Sequence, residues 1–309
     1  MRTAIIDLGT NTFNLIVADV DENCHFTIKH RDKIPVKLGM NGINKGIIMP
    51  DAMERGLVAL QEHLVTAKSF NPEKISAYGT SALRTAYNSE EFINQVKCEL
   101  GLDIEIITGE MEAEYTYYGI KNAVQLDSEY VLMLDIGGGS NEFIIANESE
   151  IVWKKSYMLG MSRVLERFQP SDPILPQEIL AMEKYFDEHL TELYEKCKKF
   201  EVETLIGSSG SFDSFATMIT YEYYATRVLE NITSFRIPLN QFYHLHSQFI
   251  STTSEERKKM RGLELMRVEM IHLASIFVNH LLQKLPIENL IQSDYSLKEG
   301  LILQSCIRK

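Results

Sequence analysis

The chain has 309 residues, 45% hydrophobic and 24% charged, the ordinary composition expected of a soluble globular protein. Its formal net charge of −12 argues against general nucleic-acid binding, so an anionic ligand must be drawn in by local donors, a metal or a focused basic cleft. No apolar run is long enough for a membrane-spanning helix and the N-terminus has no signal-peptide pattern, so no membrane partner and a cytoplasmic location are expected.

The N-terminal "TAIID" (3–7) reads as a buried strand, followed by "FNLIVADV" and "HFTIKHRDKIPVKLG" as further strands of a meander. Residues 50–70 open on Pro50-Asp51 and carry apolar residues at helical spacing. "KISAYGTSALRTA" reads as strand, turn and helix start, "SEEFINQVKCELG" as a helix ending at Gly101, "DIEIITG" as a strand and "EMEAEYTYYGIKNAV" as a helix. This alternation is that of an α/β protein. "EYVLMLDIGGGSNEFIIANESEIVWKKSYML" then starts the same program again, and a long helix follows at about 176–199. "ETLIGSSGSFDSFATMI" is strand, small-residue turn and helix; about 239–284 is largely helical, and "NLIQSDYSLKEGLILQSCIRK" ends as strand, turn and helix. The length itself favours two domains.

The restart is an internal repeat: "AIIDLGTN" at 4–11 aligns with "LMLDIGGGS" at 132–140, which sets Asp7 on Asp135. Two copies of one α/β unit suggest two lobes facing across a cleft, with ligand at the carboxyl ends of the strands. Three glycine- or serine-rich turns end apolar strands: "DLGTN" with Asp7, Gly9, Thr10 and Asn11; "DIGGGSN" with Gly137, Gly138, Gly139 and Ser140; and "GSSGS" with Gly207, Ser208, Ser209, Gly210 and Ser211. Such turns can aim backbone N–H groups and hydroxyls at a phosphate. None has the lysine and hydroxyl of a P-loop or the spacing of a dinucleotide fingerprint.

An aspartate beside phosphate-binding glycines repels the phosphate unless a cation lies between, and Mg²⁺ suits that position. Asp135 is read as a metal ligand, with Glu142 joining it through a water; Asp7 is read equally as a ligand or as an acid bonded to its own turn. Glu110, Glu112 and Glu114 stand in the first turns of a helix, where dipole complementarity alone could place them or one could serve as general base. Arg84 could clamp a phosphate or be a surface helix arginine. The basic clusters at 29–33, 154–155 and 256–261 read as solvated charge. Cys24, Cys98, Cys197 and Cys306 are scattered without a CxxC pair, and all four are expected to be reduced thiols.

In order and spacing, "IDLGTNTFNLIV", "KLGMNG", "GTSALRTA", "ITGEMEAEYTYYGI", "LDIGGGSNEFII", "GSSGS" and "SDYSLKEGL" resemble the exopolyphosphatase / guanosine pentaphosphate phosphohydrolase (Ppx/GppA) family over nearly the whole chain. The resemblance implies two ribonuclease-H-like lobes of the actin-like ATPase superfamily with the active site in the interlobe cleft. Residues 1–122 plus 299–309 would form the first lobe and 123–298 the second, in a short form without the large helical C-terminal domain of some relatives. It implies that Glu112 is the catalytic base, that Asp135 and Glu142 attend a Mg²⁺ ion, that Arg84 contacts phosphate, and that the three loops hold the phosphates. The expected activity is hydrolysis of the terminal phosphate of inorganic polyphosphate, of pppGpp, or both; a homodimer is left open. A small-molecule kinase of the same superfamily and a non-catalytic polyphosphate or nucleotide sensor are the alternatives. The chain departs from the family pattern in the third loop, at Met260–Leu263, at Asn14 and at Glu269, differences that bear on substrate preference rather than on the catalytic core.

Overall fold

The computed structural model describes residues 1–224 and 226–307; Arg308 and Lys309, the last residues of the expected first lobe, lie outside the described residues. The first sheet is built from β1 (Arg2–Leu8), β2 (Thr12–Val20), β3 (Phe26–Pro35), β4 (Lys74–Gly79) and β5 (Ile104–Ile106), in the order β3-β2-β1-β4-β5. β1, β2 and β3 form the antiparallel meander, and β4 and β5 continue in parallel. The second sheet repeats this plan with β6 (Val131–Ile136), β7 (Asn141–Ala146), β8 (Ile151–Tyr157), β9 (Thr204–Ser208) and β11 (Asn289–Ser293), and adds the edge strand β10 (Ser234–Ile237). Each is the sheet of a ribonuclease-H-like lobe. Parallel strands need long crossovers. In the first half they are supplied by α1 (Pro50–Ser69), α2 (Ser81–Thr85) and α3 (Ser89–Leu100), and α4 (Gly109–Ala123) then leads to the second sheet. The second half uses α5 (Met161–Phe168), α6 (Pro176–Lys199), α7 (Ser209–Tyr223), α8 (Leu239–Ser251), α9 (Ser254–Arg257) and α10 (Ile271–Lys284), and α11 (Leu297–Ile307) follows the last strand.

The layering follows from strand alternation. In β1, Ala4, Ile6 and Leu8 face a core shared with α1 and α3, while Ile5 faces α4 and α11. In β6, Leu132, Leu134 and Ile136 face the large core under α6, α7, α8 and α10, while Val131 and Met133 face α4. α4 therefore lies between the sheets: Tyr115 joins the first sheet's cluster, and Ala113, Tyr117 and Ile120 join the second's. α11 packs against α4 by close backbone approach. A Cβ on Gly119 would stand 2.0 Å from the carbonyl oxygen of Ser296, and one on Gly300 would stand 1.8 Å from that of Tyr115. Only glycine permits this fit.

Two expectations are corrected. Cys24, in the β2–β3 loop, and Cys306, on α11, form a disulfide across 282 residues, so the reduced-thiol reading holds only for Cys98 and Cys197. A pairing over that distance is set by tertiary packing, which spacing along the chain does not encode. The basic clusters are not simply solvated. Arg257 is buried at 2% exposure, where it donates to backbone carbonyls of Thr252 and Val268 and to Asp172, and Arg31 pairs with the buried Glu299. Among the described residues no helix is long and apolar enough to cross a membrane.

Candidate active site

The same alternation aims the acids. In β1 odd-numbered residues face α4, so Asp7 does too; in β6 Asp135 follows Val131 and Met133, and in β7 Glu142 shares its parity with Ile144 and Ala146. Asp7 pairs in register with Asn14 on β2, and Asp135 pairs with Glu142 on β7, so the repeat puts Asn14 and Glu142 at equivalent sites. The turns after both aspartates close alike: Gly9 N–H donates to Thr12 O at 3.2 Å, and Gly137 N–H to Ser140 O at 3.1 Å. Asp7, Asp135, Glu142 and Glu112 line one cleft of about 650 Å³ between the two sheets, together with Gly9, Thr10, Asn11, Gly137–Ser140 and Ser209–Ser211.

The structure separates the three glutamates of α4. Thr108 caps the helix by accepting from Met111 N–H at 3.1 Å. Glu110 is exposed and Glu114 is paired with Lys154, whereas Glu112 is buried at 8% exposure with its carboxylate in the cleft. Arg84, from α2, donates to Glu112 Oε2 at 2.8 Å, to Ile107 O at 3.0 Å and to Ser140 Oγ at 3.4 Å. These contacts let Arg84 position Glu112 and the second loop, and Arg84 itself is not among the residues lining the cleft.

The carboxylates sit in an environment that disfavours their charge. Burial, opposed by Lys298 and by the Asn14 hydrogen bond at 3.0 Å, pushes Asp7 up to about 6. Burial and the neighbouring Asp135 charge push Glu142 up to about 7, although Ser156 donates to it at 2.6 Å. Asp135 is raised by burial against a hydrogen bond from Ser209 and the charges of Lys298 and Arg267. Glu112 is raised by burial and then by Glu142, with Arg84 pulling the other way.

The second-loop glycines serve close approach between loops. A Cβ on Gly138 would fall 2.4 Å from Asn11 Nδ2, and one on Gly139 would fall 2.5 Å from Ser81 Oγ and 2.6 Å from Thr10 Oγ1. Neither glycine has positive φ, so their backbone angles are open to other residues. In the third loop, Ser209 is left-handed (φ 67°) and Gly210 lies under the guanidinium of Arg267, 1.7 Å from a would-be Cβ. Gly207 and Ser208 belong to β9 and do not line the cleft. Gly207 makes room for the ring of Phe212, so its phosphate-binding reading is replaced by a packing one.

Sequence reading missed Lys298, Arg267 and Asp213 as cleft residues. Asp213 accepts from Gln292 at 2.9 Å, and burial pushes it up to about 6. Lys298 sits inside "SDYSLKEGL"; Arg267 and Asp213 have no local motif, since only the fold brings them to the cleft.

Among the described residues no three His, Cys, Asp or Glu side chains form a ready-made metal cage. The donor set still fits Mg²⁺, which commonly binds one or two carboxylates and takes its other ligands from water and substrate phosphate. Asp7 Oδ1 is buried without a hydrogen-bond partner, and the Asp135 charge pushes Glu142 up, an arrangement a divalent cation would relieve.

Fold and cleft together define a protein of two ribonuclease-H-like lobes whose glycine- and hydroxyl-rich loops meet over buried acids. The Ppx/GppA phosphatase family model matches residues 16–309, and the chain belongs to that family. It is 25% identical over 307 residues to exopolyphosphatase 1 of Mycobacterium tuberculosis, covering 98% of this chain and 88% of that one. It is 27% identical to a putative exopolyphosphatase of Haemophilus influenzae over 97% of this chain and 90% of the relative. Among solved structures, an exopolyphosphatase from Cytophaga hutchinsonii superposes with a TM-score of 0.96 at 35% identity, covering 100% of this chain and 98% of the other. The Aquifex aeolicus PPX-GPPA enzyme superposes at 0.79 and 27% identity, covering 98% and 99%.

Proposed function

We propose that this chain is a phosphoanhydride hydrolase that releases the terminal phosphate of inorganic polyphosphate. One observation carries the reading. Of three neighbouring glutamates on α4, only Glu112 is buried in the cleft, where Arg84 ties it to Ser140 of the second loop. Relatives named as exopolyphosphatases support the substrate class.

Terminal-phosphate hydrolysis needs a water in line with the leaving oxygen and compensation for charge on the phosphoryl oxygens. Glu112 takes the proton of that water. Arg84 holds the carboxylate in place and favours its charged form. Backbone N–H groups and hydroxyls of Gly9–Asn11, Gly137–Ser140 and Ser209–Ser211 orient the phosphates, and Lys298 and Arg267 offset their charge. Asp135 and Glu142, with Asp7, would hold Mg²⁺, which supplies Lewis-acid charge neutralisation at the phosphoryl oxygens when bound.

The test is phosphate release from polyphosphate, pppGpp and ATP side by side, with and without Mg²⁺. Release from polyphosphate that requires Mg²⁺ supports the reading; release from pppGpp adds that substrate. ATP-dependent phosphorylation of an acceptor without release from polyphosphate makes the chain a kinase. Binding of polyphosphate without release in any arm makes it a sensor.

A further inference from the structure

The cleft rim carries cations that terminal-phosphate hydrolysis leaves without a task. Lys33 on β3 and Lys37 just beyond it both line the cleft and reach across it to the second lobe. Lys33 Nζ pairs with Glu264 at 2.5 Å, and Lys37 Nζ with Glu269 at 2.5 Å. In each pair only the lysine lines the cleft. All four side chains remain 41–50% exposed, a regime in which an ion pair contributes little to stability and exchanges readily. The neighbouring Arg31 differs, because its partner Glu299 is wholly buried and belongs to the packing of α11.

Lys37 is also tied to the first loop. Its N–H and that of Val36 donate to Asn11 O at 2.8 and 2.9 Å, and Gly39 N–H donates to Thr10 O at 3.1 Å. The two lysines, four residues apart, thus project from a segment that braces the phosphate loop. In a chain with net charge −12, exposed cations facing a cleft are the local source of attraction for a polyanion.

We propose that Lys33 and Lys37 form a subsite for the internal phosphates of linear polyphosphate, exchanging Glu264 and Glu269 for phosphate oxygens as the chain enters. This rests on the polyphosphate reading of the cleft and adds a preference for long chains over short ones. The exchange releases the cross-cleft ion pairs, so substrate holding and rim opening become one event. Glu264 and Glu269 act as stand-in anions that suppress ligands offering fewer phosphates, tripolyphosphate among them.

The test sets two double variants against each other, with dissociation constants measured calorimetrically for long-chain polyphosphate and for tripolyphosphate in the Glu112→Gln background. Lys33→Gln/Lys37→Gln removes the cations, and Glu264→Gln/Glu269→Gln removes their competitors. The subsite requires opposite signs. The lysine variant should weaken long-chain binding about tenfold with a shallower salt dependence, as loss of two phosphate contacts does. The glutamate variant should tighten it, and both shifts should be much smaller for tripolyphosphate. If the pairs were only a structural latch, both variants would break it alike and move affinity in the same direction, which overturns the proposal. Equal shifts for both chain lengths overturn it too. Phosphate release by the unmutated enzyme is scored separately. Its absence would overturn the hydrolase reading, while the sign of these binding shifts still decides the subsite.

Discussion

Arg84 and Glu112, 28 positions apart in sequence, meet at 2.8 Å on the wall of the interlobe cleft, and the same guanidinium reaches Ser140 of the second loop. One side chain therefore couples the candidate base to the loop that would hold the substrate. Burial raises the Glu112 pKa and Arg84 opposes that rise by favouring the carboxylate. Removing the cation from Arg84→Gln should let the pKa climb further. Because the base works when deprotonated, the acid limb of the kcat/KM profile should move to higher pH, with kcat lowered at neutral pH. An unchanged limb in a folded variant would show that Arg84 does not set the charge of Glu112.

Gly139 and Gly101 provide a contrast between crowding and strain. A Cβ at 139 strikes the hydroxyls of Ser81 and Thr10, whereas at 101 it meets nothing within 4 Å but must adopt φ 66°. Gly139→Ala should raise KM for polyphosphate by parting the two loops. Gly101→Ala should cost about 1 kcal/mol of stability through strain alone and leave the kinetics intact. Melting temperature and KM measured on both variants check this, and a Gly139→Ala enzyme with normal KM would remove the loop contact from function.

The acid cluster sets the pH dependence of stability in the metal-free protein. Asp7 and Asp213, pushed up to about 6, and Glu142, pushed up to about 7, bind protons in the folded state that the unfolded chain has released. Their contribution is full below the ordinary carboxylate range near 4 and is lost as pH rises through about 6 to 7, on the order of 3 kcal/mol for Asp7 alone. His246 and His272, driven down to about 4 by burial, act in the opposite sense, losing stability as pH falls from about 6.5 to 4. Asp135 and Glu112 add to the acid side. Melting temperature in EDTA should therefore decline from about pH 5.5 to 7.5, and Mg²⁺ should raise it more at the higher pH. A melting temperature in EDTA that climbs over this interval, or a Mg²⁺ shift independent of pH, would be incompatible with acids held for a cation.

Much of this site is legible in the sequence because its parts are local. The repeat that aligns Asp7 with Asp135 is recovered in the register of both hairpins and in the matching Gly9 and Gly137 turns. Strand alternation then carries both acids to the α4 side. What was not legible depends on distance. Lys33 meets Glu264 after 231 residues and Cys24 meets Cys306 after 282, pairings that no local pattern encodes. The glycines at 138 and 139 looked like room for phosphate, and their need for space comes from Asn11, Thr10 and Ser81, far away in sequence. β10 escaped because four residues on a sheet edge carry too little pattern to be read.

The most direct measurement is single-turnover phosphate release from polyphosphate by Glu112→Gln beside Glu110→Gln and Glu114→Gln, with Mg²⁺ present. The amide keeps the shape of Glu112 and can still pack beside Arg84, but it takes up no proton. Release by Glu112→Gln should slow by about 10² or more, the usual weight of a general base, while the substrate concentration for half-saturation stays close to that of the unmutated enzyme. The exposed Glu110 and the Lys154-paired Glu114 should tolerate the change with release near the unmutated rate. Release by Glu112→Gln at nearly the unmutated rate, or a larger loss at either neighbour, would contradict the assignment of the buried carboxylate as the group that acts on water.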